Sequence, residues 1–359
     1  MRVTAFLPTH DLPEESMPWI MEARDVFDGL VIFIDEKRVT PGTVARAEKV
    51  GTRIHYHNAE TWYEWDLGAM GRMCGSDWAF MIERDEQLCP EWRQGSWRRI
   101  LETTQCTHFW CPRRWVVSGG RYITADPWWP DFQLRLFRNN VPGATFPTRL
   151  HDAINIPGPP GYLRNLGIHH HVLWLCSRAM REDRVRYYEQ LRPAGALGHY
   201  YLPELYHPPE ASLPEPAKLD VDREIISMDK LTSENISKIA LDVSNVPREE
   251  KASALFWLDA QVTNATNQPL YPLGPYPVLL AYHWMEKTTH RMVVFDGDRS
   301  GLFPGLGAKT TGQYPMKIIA PDQPGEYILQ TTIVQDGNCW FENIRPEILQ
   351  EFVISVTAG

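Results

Sequence analysis

Long apolar runs are missing from this 359-residue chain, and so is an excess of basic residues. No apolar stretch reaches the roughly 18 residues that a membrane-spanning helix requires, so we expect no transmembrane segment. With 45 acidic and 36 basic residues, the formal net charge is −9, which argues against broad binding to nucleic acids or anionic membranes. The apolar run at residues 3–8 is too short for a signal peptide and is interpreted as a first strand.

Cysteine is scarce and irregularly spaced. The six cysteines include no CxxC pair, so the sequence predicts neither a zinc ribbon nor a disulfide framework. A reducing, cytoplasmic location is therefore the expectation.

Strand and helix patterns alternate through the N-terminal half of the chain. Residues 3–8, 30–34, 52–56 and 78–82 have patterns typical of strands, and the continuous apolar runs at 30–34 and 78–82 are typical of buried ones. Helical patterns lie between them, at residues 14–27, 42–49 and 63–74. This alternation predicts an α/β domain with a largely parallel sheet that is covered on both faces.

An acidic turn follows the strand at residues 78–82. Glu83 and Asp85 stand at alternate positions, with Glu86 alongside. Groups at the carboxyl ends of α/β strands meet in the crevice where such folds bind ligands, and Asp35 ends another strand in the same way. Carboxylates in this arrangement are suited to a hard divalent cation that also needs phosphate oxygens, although a solvated turn would have the same composition.

The pattern of apolar and polar residues changes after a proline-rich stretch at residues 208–219, which we interpret as an interdomain linker. Residues 1–207 then form the α/β domain and residues 220–359 a second one. In the second domain, short alternating runs are separated by turn signals such as Asp296-Gly297, which indicates an antiparallel β-sandwich.

Three segments of the α/β domain resemble the family 2 glycosyltransferases of GT-A fold, the Rossmann-like nucleotide-diphospho-sugar transferases. They are residues 34–43 (IDEKRVTPGT), residues 75–86 (GSDWAFMIERDE) and residues 130–138 (PDFQLRLFR), followed by the pair His151-Asp152. The C-terminal domain resembles the Ig-like modules of bacterial polysaccharide-related transferases, through segments such as residues 320–327 and 334–341. From this context we expect the second domain to act in acceptor binding or in self-association.

The resemblance implies a set of roles for the acidic residues. Asp35, with Pro8 and Thr9, would line the base and ribose pocket of a nucleotide-sugar donor. Asp85 and Glu83 would hold Mn²⁺ or Mg²⁺ against the diphosphate. For an inverting transfer the general base would be Asp152, with Asp131 in reserve.

The remaining candidates are histidine, arginine and tryptophan residues. Neighbours on a strand point to opposite sides, so His169 and His171 of the triplet could share a face and bind metal or phosphate, or simply pack in the core. Arg135 and Arg138 are candidates for a phosphate clamp or for surface ion pairs. Trp128 and Trp129 would line the acceptor cleft or pack a lid loop.

The leading hypothesis is a metal-dependent, inverting glycosyltransferase, a hexosyltransferase-like enzyme. It would move a sugar from a nucleotide-diphosphate donor to a hydroxyl of a glycan, a lipid-linked saccharide or a protein. One alternative is a non-catalytic carbohydrate-binding or scaffold protein on a degenerate transferase fold. Another is a metallohydrolase that uses the histidine triplet with Asp152 and Asp85, although the chain has no HExxH or comparable ligand spacing.

Overall fold

The computed structural model describes residues 1–58, 66–125, 127–146, 154–191, 198–219, 229–272, 276–303 and 305–358. They form two compact units, and neither unit is continuous in sequence. The first unit comprises Met1–Tyr122, Asp131–Leu202 and Ser212–Ile225. The second unit comprises Ile123–Pro130, Pro203–Ala211 and Ile226–Gly359.

Four parallel strands form one half of the main sheet of the first unit. They are β1 (Val3–Thr9), β2 (Leu30–Asp35), β3 (Arg53–His57) and β4 (Trp78–Met81). β1 lies between β2 and β4, and β3 is the outer neighbour of β2. Every residue of β1, β2 and β4 is buried, which explains why these strands read as continuous apolar runs. The carboxyl ends of the four strands lie at one edge of the sheet.

The other half of the sheet is mixed. Its strands in the first unit are β5 (Glu86–Leu88), β6 (His108–Val117), β7 (Arg121–Ile123), β8 (Asp131–Arg138), β9 (Pro160–Tyr162) and β10 (Ile168–His170). The last residue of β7 belongs to the second unit, and so does β11 (Glu210–Ser212) except for Ser212. β8 pairs antiparallel with both β4 and β6, while β10 runs parallel to β6 and antiparallel to β5. The unit is thus a mixed α/β structure, with the parallel strands grouped on one side.

Helices cover both faces of this sheet. Those of the first unit are α1 (Met17–Val26), α2 (Thr43–Lys49), α3 (Leu67–Cys74), α4 (Trp97–Thr103), α5 (Val172–Leu175), α6 (Arg178–Leu191) and α7 (Gly198–Tyr201). Residues of α1, α2 and α4 share a core with one face of β1, and residues of α3 share a second core with the opposite face. None of the helices in the described stretches combines the length and the apolar character needed to cross a bilayer.

The second unit is built mainly of strands. Its elements from Ser233 onwards are α8 (Ser233–Ile236), β12 (Ile239–Ser244), β13 (Glu249–Lys251), β14 (Leu255–Asn264), β15 (Val278–Glu286), β16 (Met292–Val294), β17 (Ser300–Gly301), β18 (Thr310–Ile319), β19 (Gly325–Gln335), β20 (Cys339–Trp340) and β21 (Gln350–Thr357). One sheet has the order β12-β14-β18, and the other contains β13-β21-β19-β15-β16. Apolar side chains from both sheets form a single core.

The segment predicted as a linker, residues 208–219, takes part in structure. Leu219 is buried in the core of the first unit, and the backbone N–H groups of Ala217 and Leu219 donate to the side chains of Glu91 and Gln94. The composition of the segment did not predict these contacts, because they join residues that are far apart in sequence. Trp128 and Trp129 fall within residues 1–207, the predicted α/β domain. In the structure they belong to the second unit, which includes residues 123–130.

Candidate metal centre

Glu83, Asp85 and His170 come together just beyond the carboxyl end of β4. Each offers one ligand atom, and these atoms all lie within 4.8 Å of one another. Asp85 and His170 are buried, whereas the Glu83 side chain is 41% exposed. Two carboxylates and one imidazole form a donor set that can hold a divalent cation.

His170 has the features of a ligand. Its Nε2 lies 3.5 Å from Oδ2 of Asp85, and its Nδ1 is buried without a hydrogen-bond partner in the described part of the chain. A buried nitrogen in this state is costly, and a metal ion or a substrate group would relieve that cost. The donor set therefore fits a divalent cation.

The pairing of β10 places His170 in the cluster. β10 lies between β5 and β6, with His170 opposite Glu86 on one side and Trp115 on the other. The backbone N–H of His171 then donates to the carbonyl oxygen of Asp85 at 2.8 Å. This framework joins the acidic turn after β4 to a strand more than 80 residues further along the chain.

Ion pairs with two arginines of neighbouring strands hold the acidic turn in place. Arg135 of β8 donates to Glu83 Oε1 at 2.7 Å and to Glu86 Oε1 at 2.6 Å, and Arg113 lies 3.4 Å from Glu86 Oε1. Burial opposes ionisation of Glu86, but the charges of Arg135 and Arg113 outweigh it and lower the pKa of the carboxyl. Arg135, a candidate for binding phosphate, is thus placed where it orients the acidic turn.

The Asp85 carboxylate is charged in this setting. Burial alone would raise its pKa, but the interaction with the His170 ring and the charges of Arg184 and Arg84 outweigh burial and hold the pKa well below its usual range. Arg84 also forms an ion pair with Asp11, which follows β1. The carboxyl edge of the sheet therefore brings together charges of both signs, as a site for a cation and a polyanion requires.

A cavity of about 250 Å³ opens beside the cluster. Its lining residues are Asp11, Pro13, Glu15, Arg84, Asp85, Trp174, Leu175, Cys176 and Met180. The side chains of Trp174 and Met180 are 46% and 55% exposed. The lining therefore combines exposed apolar side chains with charged ones, among them Arg84 and Asp85. Sequence reasoning did not select Arg84 or Trp174, although both flank motifs that it did select. It included His170 only as a member of the histidine triplet in the metallohydrolase alternative.

His169 and His171 lie outside the cluster. Nδ1 of His171 accepts from the indole N–H of Trp174 at 2.8 Å, and its Nε2 lies 3.1 Å from Gln87 Oε1. Burial lowers the pKa of His171 to about 4, so its ring is neutral and both nitrogens are engaged. The rule that neighbours alternate holds, but the strand register directs the middle histidine of the triplet to the acidic turn.

The predicted nucleotide-binding residues lie at the ends of β1 and β2. Pro8 and Thr9 are buried at the end of β1, and the Thr9 hydroxyl donates to the carbonyl oxygen of Asp11. The fully buried carboxylate of Asp35 pairs with Arg38 at 2.7 Å and accepts from the N–H of Lys37. They share the carboxyl edge with Asp85 but belong to other strands.

Two further predicted residues, Arg138 and Asp131, have structural partners. Arg138 donates to the carbonyl oxygens of Cys106 and Thr104 and lies over the ring of Trp78.

Asp131 accepts from Arg113, from the indole N–H of Trp115 and from the amide of Gln133. Asp152 falls outside the described residues, and so does His151.

No family model matches the chain, and neither does any curated protein. Several solved structures show weak similarity to the chain. A mannosyltransferase from Pyrobaculum calidifontis, in complex with GDP-Man and Mn²⁺, aligns with a TM-score of 0.34 and 12% identity over 53% of this chain and 62% of that one. A β-glucosidase from Listeria innocua aligns with a TM-score of 0.23 and 12% identity over 34% of this chain and 16% of that one. At these values the similarities assign neither a fold nor a function.

Proposed function

We propose that this protein is a metal-dependent glycosyltransferase that takes a sugar from a nucleotide-diphosphate donor. The observation that carries the proposal is the cluster of Glu83, Asp85 and His170 at the carboxyl edge of four parallel strands. In open α/β sheets, ligands bind in the crevice at this edge. In this proposal the first unit is a GT-A domain of the family 2 type, and the second is an Ig-like sandwich.

Glu83, Asp85 and His170 would hold Mn²⁺ or Mg²⁺. The imidazole favours Mn²⁺, because Mg²⁺ prefers oxygen ligands and water. When bound, the cation supplies positive charge that offsets the charge developing on the leaving diphosphate. The ionised state of Asp85 already suits this role.

The other residues of the site bind and orient the donor. Arg84 lines the cavity beside Asp85 and can exchange its ion pair with Asp11 for phosphate oxygens. Asp35, with Pro8 and Thr9, is proposed to contact the ribose and the base, and Arg38 holds its carboxylate in place. The cavity is smaller than a whole nucleotide-sugar site, which suits the diphosphate and sugar portion of the donor.

Inverting transfer needs a base that takes the proton of the acceptor hydroxyl. We propose Asp152 for this role. Asp131, the reserve candidate, has its carboxylate engaged by Arg113, Trp115 and Gln133. Those contacts support a structural role for Asp131 and leave the base to Asp152.

Thermal denaturation with UDP, GDP, dTDP and CDP, each with and without Mn²⁺, tests the donor site. Selective binding stabilises the folded state by mass action, so one nucleotide with Mn²⁺ should raise the Tm of the wild type. Asp85→Asn should abolish this shift relative to its own baseline Tm. Asp242→Asn, at an exposed position on β12, is the matched control and should retain it.

Turnover separates an enzyme from a binding scaffold. With the preferred sugar donor and an acceptor panel, the wild type should release nucleoside diphosphate, and Asp152→Asn should lower kcat by about 10²- to 10⁴-fold with donor binding retained. Absence of a metal-dependent shift with every nucleotide would reject the donor site. Binding without turnover would leave a non-catalytic sugar-nucleotide protein.

A further inference from the structure

The second unit contains a hollow of its own, larger than the cavity beside Asp85. Its volume is about 500 Å³, and it is open to solvent. Its lining residues are Thr124, Tyr206, His207, Pro209, Leu255, Phe256, Trp257, Asp259, Gln313, Tyr314 and Pro315. All of them belong to the second unit. The glycosyltransferase proposal uses none of them.

The strands β14 and β18 build one wall of this hollow. Trp257 and Asp259 are two residues apart on β14, so their side chains leave the same face of the sheet. The antiparallel register sets Asp259 opposite Pro315, and Gln261 opposite Gln313. A tryptophan ring, a carboxylate and an amide are therefore presented side by side on a regular sheet, which is a rigid support for a binding site.

The Trp257 indole is the most informative member of the wall. Its Nε1 is buried and has no hydrogen-bond partner among the described residues. Buried indole N–H groups normally find an acceptor, and leaving one without a partner is costly. Almost no surface of Nε1 is open to solvent, so a ligand in the hollow would pack against the ring of Trp257 and not hydrogen-bond to this nitrogen.

The charge of the lining narrows the chemical class of the ligand. Among the described lining residues there is no lysine or arginine, and Asp259 contributes a carboxylate, so a phosphate or carboxylate ligand would be repelled. Side chains of Asp259, Gln313, His207 and Thr124 can exchange hydrogen bonds with neutral hydroxyl groups. The rings of Trp257 and Tyr206 offer apolar surface between these polar groups.

We propose that this hollow binds a neutral saccharide. A sugar ring combines apolar C–H faces with an edge of hydroxyl groups, and the mixture of aromatic and uncharged polar side chains matches both. The site is distinct from the metal centre and stands on different residues, so it can exist whether or not the first unit transfers sugars.

Titration of ¹⁵N-labelled protein with maltotriose, cellotriose, mannotriose and tri-N-acetylchitotriose tests the proposal. The Trp257 indole resonance is assigned by its disappearance in Trp257→Phe. At least one neutral trisaccharide should shift this resonance saturably, and glucose 1-phosphate should bind no more tightly than that trisaccharide. Absence of any shift with all four trisaccharides, or preference for the phosphorylated probe, overturns the proposal.

Calorimetry on variants then locates the bound sugar. Trp257→Phe removes part of the ring surface on which a sugar would pack, and Asp259→Ala removes a hydrogen-bond acceptor, so each should weaken binding about three- to tenfold. Trp340→Phe, the matched change at a tryptophan that does not line the hollow, should bind as the wild type does. Unchanged affinity in both hollow variants would overturn the assignment. Asp85→Asn should retain saccharide binding, so failure of the donor site and failure of this site give different results.

Discussion

His170 and His171 are neighbours in sequence with opposite environments. His170 has its Nε2 3.5 Å from Asp85 Oδ2 and an unpartnered Nδ1, while His171 is stacked on Trp19 at 4.3 Å and engages Trp174 and Gln87. The first has spare ligand capacity, and the second is held by its neighbours. One residue of register separates a candidate metal ligand from a packing residue.

Exchange of each histidine for glutamine separates these roles. His170→Gln should weaken Mn²⁺ binding at least about tenfold, since even changes outside the ligand shell commonly cost this much. His171→Gln should bind Mn²⁺ as the wild type does but lose about 1–3 kcal/mol of unfolding free energy with its two hydrogen bonds. Mn²⁺ titration calorimetry and urea denaturation measure the two quantities. A larger loss of Mn²⁺ affinity in His171→Gln than in His170→Gln would contradict the assignment.

His108, at the start of β6, makes stability depend on pH. Burial lowers the pKa of its imidazole below the ordinary value of 6.5. As the pH falls below about 6.5, the unfolded chain takes up a proton that the folded chain resists, so the contribution of His108 to stability is present above that pH and lost below it. His108→Asn should therefore show a smaller fall in Tm between pH 8 and pH 5, each variant being compared with its own value at pH 8. Identical pH profiles would exclude His108 as a source of acid sensitivity.

At the scale of elements, the placement of β10 depends on close contact at Gly167. The carbonyl oxygen of Gly167 accepts from the indole N–H of Trp92 and from the backbone N–H of Cys89. A Cβ at this position would stand 2.7 Å from the backbone carbonyl oxygen of Pro112, which cannot easily move. The absence of a side chain lets β10 lie between β5 and β6.

Gly167→Ala should therefore disturb both the fold and the metal centre. We expect a loss of about 1–3 kcal/mol of unfolding free energy, the usual cost of overpacking, together with weaker Mn²⁺ binding as His170 shifts. Gly29→Ala is the matched control, because a Cβ there meets nothing within 4 Å, and its stability should stay within about 0.5 kcal/mol of wild type. Equal effects of the two substitutions, measured by urea denaturation, would contradict this account of β10.

Sequence patterns predicted several of the strands and helices. The strand predicted at residues 78–82 is β4, and the helix predicted at 42–49 is α2. The sequence did not predict β12, because its alternating pattern is short and mostly polar on one side. β10 escaped because three histidines carry little strand propensity, and its pairing with β5 and β6 is long-range.

At the scale of the whole molecule, the two units have separate hydrophobic cores. The cores of the first unit and of the second share no residue. Ligands of the metal centre therefore stabilise one core directly, and those of the hollow stabilise the other.

Differential scanning calorimetry should show two transitions, only one of which responds to the preferred nucleotide with Mn²⁺. At a ligand concentration of about 100 Kd, mass action adds about 2.7 kcal/mol and raises the Tm of that transition by several degrees. Asp85→Asn should remove the response, and removal of Mn²⁺ with EDTA should do the same. A joint shift of both transitions would show that the units unfold as one.

The sequence by itself determined the mixed α/β character of the first unit and the acidic turn at Glu83 and Asp85. Both are local: periodicity sets the strand and helix patterns, and the turn follows its strand directly. Only the tertiary structure decided that His170 completes the cluster and that Arg135 forms an ion pair with Glu86 in the acidic turn. It also decided that residues 123–130 and 203–211 belong to the second unit. These depend on strand register and on pairing between distant segments, which side-chain patterns along one segment do not encode.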